Sequence, residues 1–306
     1  MQLPASLLEL ADEQDGLLTR QQVLAHGLSR SAIRHALGAG GRWQRVLLGV
    51  YATFTGPTQN RHRVRAALLH AGPEAVVTGA VACRGYGMRY VPAASEVMLL
   101  VPPHVRRAHV PIATIHRVRS VPAARVVRGV PCAPPERSAL DAVRGSDRLR
   151  DTRATLCEVV QRGLSTPSRL VAEYDRIDPR GLSLARRAID DVRAGCRSAP
   201  ECELRDLIGG SRLLGEPAWN VPLPDTADIV PDAQYREARL ALEVESQEWH
   251  RYGDAPEATE RRRARYASLG WRVLPVSPQR LRAEPEVVLA EIEAAVVGVT
   301  QGSTVS

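Results

Sequence analysis

Along the first fifty residues the apolar positions recur at helical spacing and then switch to alternation. Leu3, Leu7, Leu8 and Leu10 give one short helix, and a second over 19–25 opens on the capping box Thr19-x-x-Gln22. His26-Gly27-Leu28 stops it. Ser29 is a good N-cap for a third helix through about Leu37, with Ile33, Ala36 and Leu37 inward and Arg30, Ser31, Arg34 and His35 outward. From Trp43 to Ala52, the alternation of Val46, Leu48 and Val50 predicts a hairpin or single wing strand with Gly49 near its tip. Helix, helix, turn, helix, wing is a winged helix-turn-helix order.

Between about 62 and 195 the signals mix. A helix over Val64–His70 leads into apolar runs at Ala75–Thr78, Val97–Val101, Val110–Ile115 and Val126–Val130, separated by Pro-rich turns. Helical patterns follow at Arg137–Val143, Arg148–Arg162, Pro167–Asp175 and Ser183–Ala194, which makes this an α+β segment without a chemistry motif. The last hundred residues are more regular: helix from Ser198 to about Ile208, strands Asp228–Tyr235 and Leu240–Ser246, helix Ala255–Leu269, strand Trp271–Val276 and helix Pro285–Val297. Asp254-x-x-Glu257 caps one helix, Gly270 ends it and Pro285 opens the last, giving an αββαβα unit.

At 306 residues, with 44% hydrophobic and 25% charged positions, the chain is long enough for two or three domains and too apolar to be disordered throughout. No apolar run reaches membrane-spanning length, and the acidic residues after Met1 do not read as a signal peptide, so a cytoplasmic protein without membrane contact is expected. Five scattered cysteines without a CxxC pair read as buried or free thiols. All 41 basic residues are arginine. Their placement is uneven: residues 1–197 carry 29 Arg against 16 acids, and residues 198–306 carry 12 against 18, which together give the net +7. Residues 16–73 hold eight Arg and no acid, a balance that favours a polyanionic partner over a small-molecule ligand. Arg30, Ser31, Arg34 and His35 are residue types that reach base edges and phosphates from a major groove, with Arg42 and Arg45 flanking the wing.

In the strand 240–246, Leu240, Leu242 and Val244 alternate with Ala241, Glu243 and Glu245, so the two carboxylates share one face. A two-residue turn at Glu237-Ala238 pairs Arg236 with Arg239, Gln234 with Ala241 and Asp232 with Glu243. Three carboxylates then converge, and like charges that close raise each other's pKa unless a cation intervenes. Mg²⁺ (or Mn²⁺) is the expected cofactor, as the cation that oxygen-only sites of this kind usually hold. Plainer readings stand beside these. Ser198-x-x-Glu201 is also a capping box, Glu243 and Glu245 also fit a solvated strand face, His250 beside Trp249 also fits a packing pair, and Arg261-Arg262-Arg263-x-Arg265 reads as a solvated helix face.

Pro231-Asp232, ten residues, then Glu243-Val244-Glu245, preceded by a helix bearing Glu201, resembles the PD-(D/E)xK restriction-endonuclease fold. With Ser198-x-x-Glu201, Leu204-Arg205, His250 and Leu269-Gly270-Trp271-x-Val273-Leu274, residues 198–297 are similar to very-short-patch-repair-like endonuclease domains. The resemblance implies metal ligation by Asp232 and Glu243, a metal- or water-positioning role for Glu201, and an auxiliary acid or base at His250. Glu245 stands where the family usually has lysine, and arginine cannot serve as a deprotonating base there. Residues 1–55, from Gly16-Leu17-Leu18-Thr19-Arg20 to Gly49-Val50-Tyr51-Ala52, resemble the N-terminal domain of AbiEi-type antitoxins, and more loosely so does the stretch through Arg137-Ser138-Ala139-Leu140-Asp141. That family represses its own promoters and accompanies a nucleotidyltransferase toxin.

The expected organisation is therefore an α+β / α/β multidomain chain: a winged helix-turn-helix over 1–55, an α+β middle domain over 56–196, a restriction-endonuclease-like domain over 197–300 and a disordered tail over 301–306. The expected function is DNA binding with a possible Mg²⁺-dependent endonuclease activity at Glu201, Asp232, Glu243, Glu245 and His250. The alternative is a non-catalytic repressor or antitoxin with a degenerate nuclease fold.

Overall fold

The computed structural model describes residues 3–244 and 255–300. It is a mixed α/β protein with three separate sheets among the described residues. The chain clusters into two compact units, residues 1–144 with 173–178, and residues 145–172 with 179–306. This differs from a division at 55 and 196. The expected tail over 301–306 lies outside the described residues, as do Glu245, His250 and the Asp254 cap. No helix among the described residues is long and apolar enough to cross a membrane.

The first unit opens with α1 (Ala5–Glu13), β1 (Leu17–Thr19), α2 (Arg20–Ala25), α3 (Arg30–Ala36), β2 (Gln44–Leu47) and β3 (Val50–Ala52). The capping box holds α2: Thr19 Oγ1 accepts from Gln22 N at 3.1 Å and Thr19 N donates to Gln22 Oε1 at 2.8 Å. Ser29 Oγ caps α3 in the same way, accepting from Ala32 N at 3.1 Å. Leu7, Ala11, Leu18, Val23, Ile33, Ala36, Trp43 and Tyr51 close one small core. The sequence pattern missed β1, whose three residues are too few to show a period; it pairs antiparallel with β3 to give the sheet order β1-β3-β2.

Then come α4 (Asn60–Ala71), β4 (Val76–Thr78), α5 (Gly79–Gly85), β5 (Val97–Val101), β6 (Ala113–Arg117), β7 (Arg125–Val127), β8 (Val130–Cys132) and α6 (Pro135–Ala142). The strands form a five-stranded mixed sheet, β6-β5-β4-β8-β7. The apolar run 126–130, read as one strand, is two, turned back at Arg128 and Gly129, both in the left-handed region at φ +51° and +74°. Leu17, Leu47, Val50 and Ala52 pack into one core with Ala66, Ala67, Val77, Leu99 and Val101. That shared core is why residue 55 is no boundary. Buried Asp141 on α6 accepts from Thr78 Oγ1 at 2.8 Å and Arg137 Nε at 2.7 Å, and Arg137 Nη1 lies 3.6 Å from Glu173 Oε1, which ties residues 173–178 to this unit.

The second unit takes in α7 (Leu149–Gln161), most of α8 (Pro167–Arg176), α9 (Ser183–Ala194), α10 (Ala199–Gly209), β9 (Ala218–Trp219), β10 (Ala233–Tyr235), β11 (Leu240–Val244), α11 (Ala255–Ser268), β12 (Arg272–Val276), α12 (Pro278–Ala283) and α13 (Pro285–Thr300). Its sheet runs β12-β11-β10-β9, antiparallel except for the β11–β12 pair, which is parallel as a strand–helix–strand crossover requires. Leu240, Leu242 and Val276 face one apolar cluster with Leu204, Ile208 and Ile292, and Ala241 faces a second with Tyr266 and Trp271. Buried Arg153 of α7 binds Asp191 Oδ2 of α9 at 2.8 Å and Asp206 Oδ2 of α10 at 2.7 Å. Residues 149–172 and 179–194 are thereby built into this unit, since a buried guanidinium without partners is costly. All five cysteines are buried, and none of them forms a disulfide.

The shared core of the first unit makes a prediction. A 1–55 fragment, deprived of α4 and the five-stranded sheet, should show no cooperative thermal transition by circular dichroism, whereas a 1–178 fragment should; a cooperative melt of 1–55 would contradict the packing described.

Candidate functional site

The geometry around Asp232 follows from strand register. Ala233 pairs with Leu242, Gln234 with Ala241 and Tyr235 with Leu240, so Asp232, immediately before β10, lies opposite Glu243 as the turn length predicts. The turn itself uses Arg239 at φ +43°, and Arg239 N donates to Arg236 O at 3.1 Å. Asp232 Oδ2 accepts from Val244 N at 2.7 Å, which anchors the carboxyl across the strand pair. Its Oδ1 makes no hydrogen bond among the described residues.

Glu201 comes from the first turn of α10. Ser198 Oγ accepts from Glu201 N at 3.3 Å and donates to Glu201 Oε1 at 2.7 Å, so the capping reading holds. The same carboxylate also takes part in the site. Its Oε2 accepts from Arg197 N at 2.9 Å and from Asn220 Nδ2 at 2.6 Å. Asn220 follows β9 in the left-handed region at φ +50°, where asparagine is several-fold enriched. It donates from Nδ2 to Gly195 O at 3.0 Å and from its backbone N to Asp232 O at 3.0 Å. Gly195, at φ +105°, packs so closely on Trp219 that a Cβ would lie 3.0 Å from the Trp219 carbonyl oxygen. Glu201, Asn220 and Asp232, with Val160, Gln161, Arg197 and Val230, line a pocket of about 470 Å³.

Glu243 meets a different set of partners. Its Oε1 accepts from Arg262 Nη2 at 2.8 Å, from Arg262 Nε at 3.2 Å and from the Tyr266 hydroxyl. Arg262 also donates to Val230 O at 2.8 Å and lies 5.6 Å from the Tyr266 ring centroid. Arg262 therefore does more than the solvated-face reading allowed. Arg265, one turn on, pairs with Asp228 at 3.4 Å. Among the described residues no cluster of three or more His, Cys, Asp or Glu side chains is arranged to hold a metal ion.

Burial, and then the negative charges of Glu201 and Glu243, push the Asp232 carboxyl up to about 7, against the opposing effects of the Val244 amide and Arg262. Burial likewise raises Glu201 above the ordinary carboxylate range, against the bonds it accepts from Arg197, Ser198 and Asn220. Near neutral pH the Asp232 carboxyl is thus placed to exchange a proton.

Of the residues singled out from sequence, Glu201 and Asp232 share the pocket, Glu243 adjoins Asp232 across the strands, and Glu245 and His250 lie outside the described residues. Asn220, Arg197, Gln161 and Tyr266 were missed. Tyr266 carried a usable signal, its spacing four residues after Arg262 on a helix; Asn220 carried none beyond its tolerance of a left-handed backbone.

A second candidate surface lies in the first unit. α3 exposes Arg30, Ser31, Arg34 and His35 while burying Ile33 and Ala36, and Arg42 and Arg45 are exposed beside the β2–β3 hairpin. None of these four arginines makes an ion pair among the described residues. Leu48, at the hairpin tip, is 73% exposed.

No family model matches the chain, and no curated protein matches it. Among solved structures it is similar to the RV2827C protein from Mycobacterium tuberculosis, at 14% identity and a TM-score of 0.41, over 62% of this chain and 78% of that one. Likeness at that level leaves function to be argued from the geometry.

The acidic pair gives a signed pH dependence. A carboxyl raised in the folded state stabilises it below the unfolded value near 4, and that contribution is lost as pH rises through the folded value. Without metal, the second unit should therefore lose about 2 kcal/mol of stability between about pH 5 and about pH 7.5. Asp232→Asn should flatten that slope and stabilise the protein at the upper end, read from urea unfolding; an unchanged slope would contradict the crowding.

Proposed function

We propose that the chain is a DNA-binding protein whose first unit engages duplex DNA and whose second unit carries an endonuclease-like acidic site. The observation that carries the reading is the β10–β11 register, which sets Asp232 opposite Glu243 while Glu201 and Asp232 line one pocket. The surrounding order supports it: α10, the antiparallel strands β10 and β11, α11, then β12 parallel to β11 follow the expected αββαβα order, with β9 an added edge strand that was not expected. The order α1-β1-α2-α3-β2-β3 likewise supports a winged helix-turn-helix, with α3 as the helix that enters the major groove.

Mg²⁺ or Mn²⁺ fits the donor set. Mg²⁺ is usually held by one or two carboxylates with waters and substrate phosphates, and a hard cation would offset both the burial and the neighbouring negative charges that lift Asp232. Asp232 and Glu243 would hold it. Such a cation supplies charge neutralisation at a phosphate and a more acidic bound water. The chain's own residues do the positioning: Val244 N orients Asp232, Arg262 and Tyr266 fix one oxygen of Glu243, and Ser198, Arg197 N and Asn220 fix Glu201. The resemblance adds Glu245 and His250 to this set.

A second reading is a non-catalytic repressor or antitoxin, partnered by a nucleotidyltransferase toxin. Two observations favour it: Glu245 replaces the family's usual lysine, and Arg262 already neutralises Glu243.

Full-length protein incubated with supercoiled plasmid and Mg²⁺ or Mn²⁺ should give slow nicking that Glu243→Ala eliminates. Arg34→Ala should weaken duplex binding by about 1–3 kcal/mol if it makes a bidentate base contact. Tight duplex binding with no nicking in any divalent cation, undisturbed by Glu243→Ala, would give the repressor reading instead. Unchanged binding of an Arg30→Ala/Arg34→Ala variant would remove α3 as the reading helix.

A further inference from the structure

The acidic site needs positive charge at the phosphate it would attack, and position 245 supplies a glutamate. Two arginines lie near enough to matter. Arg262 is committed to Glu243 and to the Val230 carbonyl. Arg197 lines the pocket beside Glu201 and Asp232, is exposed, and its side chain makes no hydrogen bond or ion pair among the described residues.

What sets Arg197 apart from an ordinary surface arginine is the rigidity of its backbone. Its N donates to Glu201 Oε2 at 2.9 Å. Two residues earlier, Gly195 is pressed on Trp219 in a conformation that L side chains rarely adopt, and Asn220 bridges its carbonyl to the same Glu201 oxygen. Residues 195–197 are therefore held in place by these contacts, and the Arg197 side chain leaves the backbone at the rim of the pocket. Placing an unpaired cation on a preorganised backbone beside two acids is the arrangement that binds a phosphate without collapsing onto the carboxylates.

We propose that Arg197 is the phosphate-binding residue of the acidic pocket, supplying from the start of α10 the positive charge that the strand position after Glu243 lacks. The proposal rests on the nuclease-like reading above. In the hydrolysis, a water oxygen bonds to phosphorus as the bond to the leaving sugar oxygen breaks, and the water's surplus proton leaves to solvent while the leaving oxygen is protonated from it. Arg197 exchanges no proton, because a guanidinium does not deprotonate in this range; it pairs with the non-bridging oxygens, where charge builds.

The test uses the full chain with Arg197→Ala and Arg197→Lys. In Mg²⁺, the thymidine dinucleotide TpT, which carries one phosphodiester, should raise the melting temperature of the wild type beyond the shift given by Mg²⁺ alone. Arg197→Ala should keep the Mg²⁺ shift, lose the dinucleotide shift and slow plasmid nicking on the order of tenfold or more, with Arg197→Lys recovering part of both. Wild-type dinucleotide shifts and nicking in Arg197→Ala would overturn the assignment while leaving the acidic site standing. Absence of any Mg²⁺ shift and any nicking in the wild type would overturn both together.

Discussion

Crowding of carboxylates in a half-buried setting is the constraint around which the second unit is arranged. Once β10 and β11 pair so that Gln234 faces Ala241, Asp232 must face Glu243, and α10 adds Glu201 beside them. The neighbouring structure reads as a set of responses to that charge. Val244 N, Arg197 N, Ser198 and Asn220 donate to Asp232 and Glu201, Arg262 and Tyr266 donate to Glu243, and Asp232 still titrates near 7. A fold that only needed stability would place an apolar pair there, because replacing buried charges by packed hydrophobic groups is often neutral or stabilising.

Charge is organised differently in the two units. In the second, the arginines are largely consumed within the fold: Arg153 by Asp191 and Asp206, Arg205 by Asp191 and Glu216, Arg280 by Glu291. In the first, Arg30, Arg34, Arg42 and Arg45 stand exposed with no acidic residue between positions 16 and 73. Uncompensated positive potential of this kind draws polyanions and makes the encounter depend on salt.

The sequence was most legible where a short-range rule decides. Thr19-x-x-Gln22, Ser29 and Ser198 marked three helix starts correctly because a cap is a local hydrogen bond. The Asp232–Glu243 pairing was legible because hairpin register follows from turn length. It failed where long-range packing decides: residues 1–55 share their core with the five-stranded sheet, and residues 145–172 join the second unit through Arg153, neither of which leaves a local trace. Strand β1 and the left-handed Asn220 were invisible for a related reason, since three residues show no period and a single backbone conformation shows none either. Arg262 was read as solvated because its run of arginines gives no hint which one turns toward Glu243.

The central proposal is that burial, together with the charges of Glu201 and Glu243, raises the Asp232 carboxyl to near neutrality, and that a cation bound there would relieve it. It is tested most directly by calorimetric titration of Mg²⁺ into the full chain near pH 7, in two buffers of different ionisation enthalpy. Because metal ligands must be deprotonated, binding should release roughly half a proton, and Asp232→Asn should release none. Binding without proton release, or no binding in the wild type, would contradict the account.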